Sequence, residues 1–325
     1  RGNEYCGDKV RQESQSGGTS QARLFNWAIE IGREVSRHKQ QGTRIPRRLR
    51  LKWQVADRFV FRTVRNLFGG RIRFFISGGA PLSKDIAEFF HACGLLILEG
   101  YGLTESTAAS TFNLPDNFRF GTVGLPIPGC EIAIADDGEV LLRSRALMGG
   151  YYNRPDDTRQ ALTPDGWLKT GDIGILHPTG HLQITDRKKE IIVTSRGKNI
   201  APSNFENRLK AASPVCSYVV MHGDRRPYCS AIIGLHGPAL MSWATDQELA
   251  YVNYADLITR QEVYDLVMSA VMGVNQGLPS YEQVRQFVLM TEEPSVENGL
   301  LTPTLKLKRR VAEKRYNSEL NQLYR

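Results

Sequence analysis

No stretch of this 325-residue sequence approaches the roughly 18 consecutive apolar residues of a membrane-crossing helix, so no such helix is expected. Cysteine is scarce. Cys6, Cys93, Cys130, Cys216 and Cys229 are scattered, odd in number and never spaced as Cys-x-x-Cys. That argues against a disulfide framework, a zinc site and a catalytic thiol, and fits a reducing cytoplasm. No nucleic-acid-binding motif accompanies the net charge of +8, so nucleic acid is not an expected partner. One Gly-rich segment, Ser16-Gly-Gly-Thr-Ser20, lacks a preceding strand, a following helix pattern and a lysine, and is not read as a phosphate loop. A signal-peptide pattern is also missing, and the chain opens on Arg1 rather than Met.

What is present is ordinary in bulk and uneven in placement. Apolar residues make up 41% and charged residues 23%, the balance of a soluble globular protein with room for two domains. Much of the positive charge sits in Arg44-Ile-Pro-Arg-Arg-Leu-Arg-Leu-Lys52 and in Lys306-Leu-Lys-Arg-Arg310. The first run reads as a solvated helix face, with a membrane-surface role as the competing reading.

The pattern along the chain is α/β, with α+β parts. Residues 1–20 are polar and read as a disordered linker. Helical spacing of Leu24, Trp27, Ala28, Ile31 and Val35 predicts a helix over 21–42, and Val55, Phe59, Val60 and Val64 predict another over 51–68. Ile72–Ile76 reads as a strand. Gly78-Gly79-Ala80-Pro81 reads as a turn into a helix with Ser83 as its cap, and Leu95–Leu98 as the next strand. Strand, helix, strand implies a parallel pair, whose ligands bind beyond the carboxyl ends of the strands. Residues 121–185 alternate in short runs, such as 131–135, 138–142 and 180–184, and predict a small antiparallel barrel or sheet. Strands near 190–193, 215–222 and 230–235, separated by helices, follow. The expected division is 21–186 for a larger domain and 187–325 for a smaller one.

Four segments carry chemistry. Gly100-Tyr-Gly-Leu-Thr-Glu-Ser106 offers an aromatic ring for a base, Thr104 for a phosphate and Glu105 for a hard cation such as Mg²⁺. As plain structure it would be a helix start capped by Thr104. Trp167-Leu-Lys-Thr-Gly-Asp-Ile-Gly174 contains Asp172, whose carboxylate suits a vicinal diol, although Gly-Asp alone reads as a turn. Ile184-Thr-Asp-Arg-Lys-Lys-Glu-Ile-Ile-Val193 and Ser195-Arg-Gly-Lys-Asn-Ile-Ala-Pro202 complete the series. In this order the four segments closely resemble the adenylate-forming superfamily, most closely its long-chain fatty acyl-CoA synthetases, over roughly residues 20–325.

The resemblance implies roles. Tyr101, beside Gly102, would stack on adenine, Thr104 would contact phosphate and Glu105 would bind Mg²⁺. Gly78, Gly79 and Ala80 would lie against the nucleotide. Asp172 would hold the ribose, with Arg187 as a second ribose or phosphate contact. Lys189 would be the hinge about which a C-terminal lid turns, and Gly197 with Lys198 would line the path of the CoA pantetheine arm. The catalytic lysine would be Lys306, matched by the Lys-x-x-Arg spacing to Arg309, with Lys308 as the alternative. The substrates implied are a fatty acid, ATP and CoA, and AMP is a product.

The superfamily's Ser/Thr/Gly-rich phosphate loop has no match here. The chain is therefore expected to be the C-terminal portion of a longer enzyme, cytoplasmic or membrane-associated, and inactive in isolation. The rival expectations are adenylation with an acyl carrier protein as acceptor, and a non-catalytic nucleotide-binding or interaction fragment.

Overall fold

The computed structural model describes residues 19–325. The expected linker over residues 1–20 thus lies outside the described residues, apart from its last two. Those two open a helix, α1 (Thr19–Gln40), so a helix does follow the Gly-rich segment. Among the described residues no helix is long and apolar enough to cross a membrane. Cys93, Cys130, Cys216 and Cys229 are all free thiols, and burial pushes Cys216 and Cys229 up to about 11, far from a reactive thiolate.

The chain divides into two compact units between Ile184 and Thr185, two residues before the expected division. The first unit opens with α1, whose Ala28, Ile31 and Val35 are buried. Next come α2 (Arg47–Ala56), a π-turn over Asp57–Phe61 and α3 (Arg62–Leu67). This stretch starts four residues earlier than the apolar spacing suggested. Pro46, at the N-cap position, has a φ of −57° already suited to helix entry.

Strands β1 (Phe74–Ser77) and β2 (Leu96–Tyr101) pair in parallel, with helix α4 (Lys84–Ala92) between them in sequence. Phe75 and Phe90 pack edge-on with Phe68 and with each other, and Phe89 packs edge-on with Phe90. Ser83 occupies the N-cap position of α4, but its side chain makes no capping hydrogen bond, contrary to expectation. Two short strands extend this sheet, β3 (Thr111–Phe112) antiparallel to β2 and β4 (Leu125–Pro126) antiparallel to β3. The alternating region forms a second, four-stranded sheet in the order β5 (Cys130–Ile134), β6 (Glu139–Ser144), β7 (Leu168–Leu176), β8 (Leu182–Arg187). A short helix, α5 (Pro155–Ala161), precedes β7. The core of this second sheet is Val140, Leu142, Leu168 and Leu182. Alternation thus gave an open sheet order rather than a closed barrel.

The second unit takes over where Thr185 and Asp186 are tied forward in the chain. The Ser203 hydroxyl donates to the Thr185 carbonyl at 2.7 Å, and the Ser203 amide donates to Asp186 Oδ2 at 3.0 Å. A 3₁₀ turn over Lys188–Glu190 follows. The strand expected from 190 is short, β9 (Ile192–Val193), and pairs antiparallel with β10 (Asn199–Ile200), so 194–198 is a hairpin tip. Helix α6 (Pro202–Ala212) comes next, then β11 (Cys216–His222), β12 (Cys229–Leu235), α7 (Gly237–Asp246), α8 (Tyr254–Leu257), α9 (Gln261–Asn275), β13 (Val284–Leu289), α10 (Arg309–Arg315) and α11 (Asn317–Gln322).

Its sheet runs β11-β12-β13, with β12 antiparallel to β11 and parallel to β13. All seven residues of β12 are buried, which explains why it is apolar on both faces apart from Ser230. Ala231 and Ile233 join the core built by Phe205 and Leu209 of α6 and by Val263, Val267, Val271 and Val274 of α9. Ile232, one residue out of phase, joins the other core, with Ala312 of α10, Leu320 of α11 and Tyr316 between the two helices. Both helical stripes follow the i, i+4, i+8 rule. Burying each valine of α9 stabilises the unit by about 1.5–3 kcal/mol relative to exposure.

Candidate active site

Tyr101 ends β2 and Asp172 lies within β7, 71 residues later, yet the Tyr101 hydroxyl donates to Asp172 Oδ2 at 2.6 Å. Asp172 is buried, at 4% exposure, and its amide donates to Thr170 Oγ1 at 3.1 Å. The Thr170 hydroxyl in turn donates to the Val140 carbonyl at 2.7 Å. Glu139 receives the Gly171 amide at 2.9 Å, so Thr170 and Gly171 are both fastened to β6. An aromatic ring and an oriented carboxylate are therefore joined at the end of a parallel strand.

The segment between Tyr101 and Ser110 is tightly constrained. Residues Thr104–Ser106 form a single 3₁₀ turn, and its cap is not Thr104. The Leu103 amide donates to Ser106 Oγ at 3.0 Å instead. Thr107 and Ala108 both have left-handed backbone, at φ of 55° and 85°. Gly102 is required by this fold-back, because a Cβ there would sit 1.5 Å from the Ala108 carbonyl oxygen. Left-handed non-glycine residues concentrate strain beside Thr104 and Glu105. Thr104 is exposed, and half-buried Glu105 accepts a hydrogen bond from the Tyr151 hydroxyl at 2.9 Å. Sequence reasoning missed Tyr151, whose only signal was the preceding Gly149-Gly150.

Gly78, Gly79 and Ala80 are exposed at the carboxyl end of β1, next to Ser77, whose register partner is Glu99 of β2. Glu99 was also missed. Its carboxylate accepts the Leu82 amide at 3.2 Å, fastening the Gly78–Leu82 loop to β2 two residues before Tyr101. Burial pushes this carboxyl up to about 7, against a weaker opposing pull from the Leu82 amide. Near neutrality Glu99 titrates.

The linkage has a definite sign. A carboxyl raised from 4.5 to about 7 in the folded state binds protons that the unfolded chain has released. It therefore lowers stability as pH rises from 4.5 to 7, by about 3 kcal/mol in total. His91, lowered to about 4 by burial and then by Lys39, works oppositely and adds stability as pH rises from 4 to 6.5. The Glu99→Gln variant keeps an acceptor for Leu82. It is expected to unfold at clearly higher temperature than the parent at pH 8 and at nearly the same temperature at pH 4.5. Equal melting shifts at both pH values would refute the assignment.

In the second unit the candidate residues are mostly exposed. Arg187, Lys188 and Lys189 are all exposed, and Lys189 sits in the middle of the 3₁₀ turn. Gly197 has φ +71° at the hairpin tip, with open space where a side chain would be, and the Lys198 ammonium lies 5.8 Å from the Tyr281 ring centroid. Lys306 is exposed in a reverse turn in which the Thr302 amide donates to its carbonyl at 2.8 Å, and its own amide donates to Thr302 Oγ1 at 3.0 Å. Leu305, at φ 59°, turns the corner.

Behind this turn lies a buried ion pair that the sequence did not reveal. Arg309 donates through Nη2 to Glu206 Oε1 at 2.5 Å and through Nη1 to the Met221 carbonyl at 3.1 Å. Glu206 also accepts the Met221 amide at 2.8 Å, and Glu190 lies 3.6 Å from Arg309 Nε. Burial pushes the Glu206 carboxyl up and Arg309 pulls it back. A guanidinium does not deprotonate, so Arg309 stays charged, while burial outweighs its pull and holds the Glu206 carboxyl above the usual carboxylate range. One cation thus ties together the turn containing Lys189, the helix after Gly197 and the segment carrying Lys306.

Comparison with known proteins assigns the family. Residues 24–152 match the family described as AMP-binding enzyme, and residues 189–325 match the AMP-binding enzyme C-terminal domain. The chain is 39% identical over 277 residues to the long-chain-fatty-acid–CoA ligase FadD15 of Mycobacterium bovis, covering 85% of this chain and 46% of that protein. It is 36% identical over 283 residues to human long-chain-fatty-acid–CoA ligase 6, covering 82% of this chain and 40% of that protein. The chain thus spans about half the length of the curated relatives it matches, or less. Among solved structures, the adenylation domain of a carboxylate reductase from Mycobacterium chelonae aligns over 93% of this chain and 45% of its own, with a TM-score of 0.65 and 25% identity. O-succinylbenzoate coenzyme A synthetase from Bacillus subtilis, solved with ATP and magnesium ion, aligns over 78% of this chain and 50% of its own. There the TM-score is 0.56 and the identity 22%, a likeness of fold. The chain belongs to the adenylate-forming superfamily of AMP-binding enzymes.

Proposed function

We propose that the protein carrying this chain is an AMP-forming long-chain fatty acid–CoA ligase. The observation that carries the reading is the Tyr101–Asp172 hydrogen bond, which joins a ring suited to a base and a carboxylate suited to a ribose diol. The names of the curated relatives supply the substrate class. In the first reaction the fatty acid carboxylate attacks the α-phosphate of ATP and pyrophosphate leaves. Tyr101, Asp172 and Arg187 hold the nucleotide, Thr104 contacts phosphate, and Lys306 offers positive charge where negative charge develops. In the second reaction the CoA thiolate attacks the acyl carbonyl and AMP leaves, with Gly197 and Lys198 along the path of the pantetheine arm. The 21–186 and 187–325 division is kept as the adenylation domain and its mobile lid.

Mg²⁺ fits one position. Among the described residues no group of three or more His, Cys, Asp or Glu can hold a metal, so an all-protein cage is not offered. A single carboxylate plus substrate phosphates is a usual Mg²⁺ arrangement, and Glu105, oriented by Tyr151, would supply that carboxylate. The ion would neutralise phosphate charge when bound. Glu105→Gln is expected to abolish most pyrophosphate release at saturating Mg²⁺ without changing the melting temperature. Near-parental release would remove the metal role.

Lys189→Pro is expected to spare adenylate formation and block transfer to the thiol. Proline holds φ near −65° and restricts the rotation a hinge needs. Equal loss in both half-reactions would place the hinge elsewhere.

The overall reading is tested by thioester formation from palmitate, ATP, Mg²⁺ and CoA in the full-length protein. Absence of both acyl-AMP and thioester would overturn it. An acyl carrier protein as acceptor is the second reading, favoured by the exposed Arg225 and by the exposed Lys306, Lys308 and Arg310. Acyl transfer to a carrier protein in place of CoA would decide for it. We also hold peripheral contact with a membrane as part of the reading, because a long-chain fatty acid partitions into lipid.

A further inference from the structure

The outer face of the α2–α3 stretch has no role in the chemistry above and has an unusual composition. Its inner side is apolar and packed, with Leu49, Ala56, Val60 and Val64 buried. Its outer side should be polar on a solvated helix. Instead Leu51, Val55 and Phe59 are 64%, 48% and 62% exposed, at i, i+4 and i+8. Residues at that spacing share one side of a helix. Arg47, Arg48, Arg58 and Arg62 fall on the same side by the helical period, with Arg50 and Lys52 flanking it, and all six are exposed.

The charge around this face has one sign. No Asp or Glu occurs from residue 35 to residue 56, and Asp57 is engaged by Arg65 at 2.7 Å. Beside the face, a cleft of about 190 Å³ opens among Val35, Lys39, Ile45, Arg50, Trp53 and Gln54. The Lys39 ammonium lies 5.7 Å from the Trp53 ring centroid at its rim.

We propose that this face docks onto an anionic lipid surface. Exposed apolar side chains in a row gain free energy in the headgroup–acyl boundary, and long cationic side chains beside them keep their heads at the phosphates. Cations alone would suit nucleic acid equally well, but Leu51, Val55 and Phe59 gain nothing on a phosphate backbone. An aromatic ring under a lysine, as at Trp53, belongs at the same depth. The inference deepens the reading above, from which it takes a lipid-borne substrate. It names the surface through which the protein meets the membrane.

The test is co-sedimentation of the 325-residue chain with vesicles, without ATP or fatty acid. Vesicles of equimolar phosphatidylglycerol and phosphatidylcholine are expected to bind the chain, and pure phosphatidylcholine vesicles are not. Each cation near an anionic surface is worth about fivefold in partitioning, so Arg48→Ala/Lys52→Ala/Arg58→Ala is expected to weaken binding roughly 100-fold. Leu51→Ser/Val55→Ser/Phe59→Ser is expected to weaken it about tenfold or more with unchanged circular dichroism and melting, because the replaced side chains are exposed. Equal binding to both vesicle types would overturn the proposal, as would indifference to either triple substitution. So would stronger binding to single-stranded RNA than to the anionic vesicles, or burial of the face by self-association in sedimentation analysis. Thioester formation from detergent-dispersed palmitate, measured in the full-length protein, reports on the ligase reading alone. Its loss with vesicle binding intact would sink that reading and leave this one standing.

Discussion

Lys306→Ala is expected to slow adenylate formation by roughly 10²–10³-fold while leaving thioester formation from supplied acyl-AMP nearly unchanged. The size follows from what is removed. A preorganised positive charge at a developing phosphate anion acts in a low-dielectric site, and losing one such contact typically costs about 2.7–4 kcal/mol of transition-state stabilisation. The selectivity follows because the second half-reaction develops its charge at an acyl carbonyl. The turn that presents Lys306 is held through the Lys306 backbone. The Thr302 amide and hydroxyl hold the Lys306 backbone, and Leu307 behind it is partly buried. Truncating the side chain leaves those backbone hydrogen bonds in place. Lys308 is also exposed, two residues on, and its amide donates to the Leu300 carbonyl at 2.8 Å. Pyrophosphate release and acyl transfer are to be measured separately in the full-length protein for both alanine variants. If Lys308→Ala shows the selective loss and Lys306→Ala does not, the lysine assignment moves by two residues.

The parts of this protein legible in its sequence are those written in short range. Alternation over 131–135 and 180–184, the apolar run of β12 and the valine stripe of α9 each need only a window of a dozen residues. The Gly-Tyr-Gly-Leu-Thr-Glu segment pointed to Tyr101, and Asp172 came from a second local motif. Their contact joins two elements, which the motifs do not encode individually. The missed features are long-range or concern groups that look conventional where they stand. Glu99 reads as an ordinary strand-end polar residue until burial and the Leu82 amide are seen. Ser106 rather than Thr104 caps the turn because the chain folds back at Gly102, an arrangement fixed by the Ala108 carbonyl. Glu206 reads as a solvated helical glutamate, and its partner Arg309 lies 103 residues away inside a basic run that suggests solvent.

That buried pair sets the largest stability effect expected here, and the effect should be lopsided. Arg309→Met leaves Glu206 buried with no cation, and breaking a buried pair from one side typically costs about 3–5 kcal/mol. Glu206→Gln leaves Arg309 with the Met221 carbonyl and with Glu190 at 3.6 Å, and Glu190 is partly exposed, so its loss should be smaller. The defect in Arg309→Met should also depend on pH. Burial already raises the folded-state affinity of Glu206 for a proton with Arg309 in place, and removing the guanidinium raises it further. Stability is then lost as pH rises above the unfolded carboxyl value of about 4.3, and regained below it. Glu206→Gln/Arg309→Met should cost less than the sum of the single changes, because the neutral amide no longer needs the cation. Trp243 packs against the core of the second unit, so its fluorescence in a chain whose other tryptophans are replaced by phenylalanine follows that unit alone. Urea unfolding at pH 7.5 and pH 4.5 should give a clearly larger Arg309→Met defect at the higher pH. Equal defects at the two values, or strict additivity in the double variant, would show that Glu206 and Arg309 are stabilised independently rather than by each other.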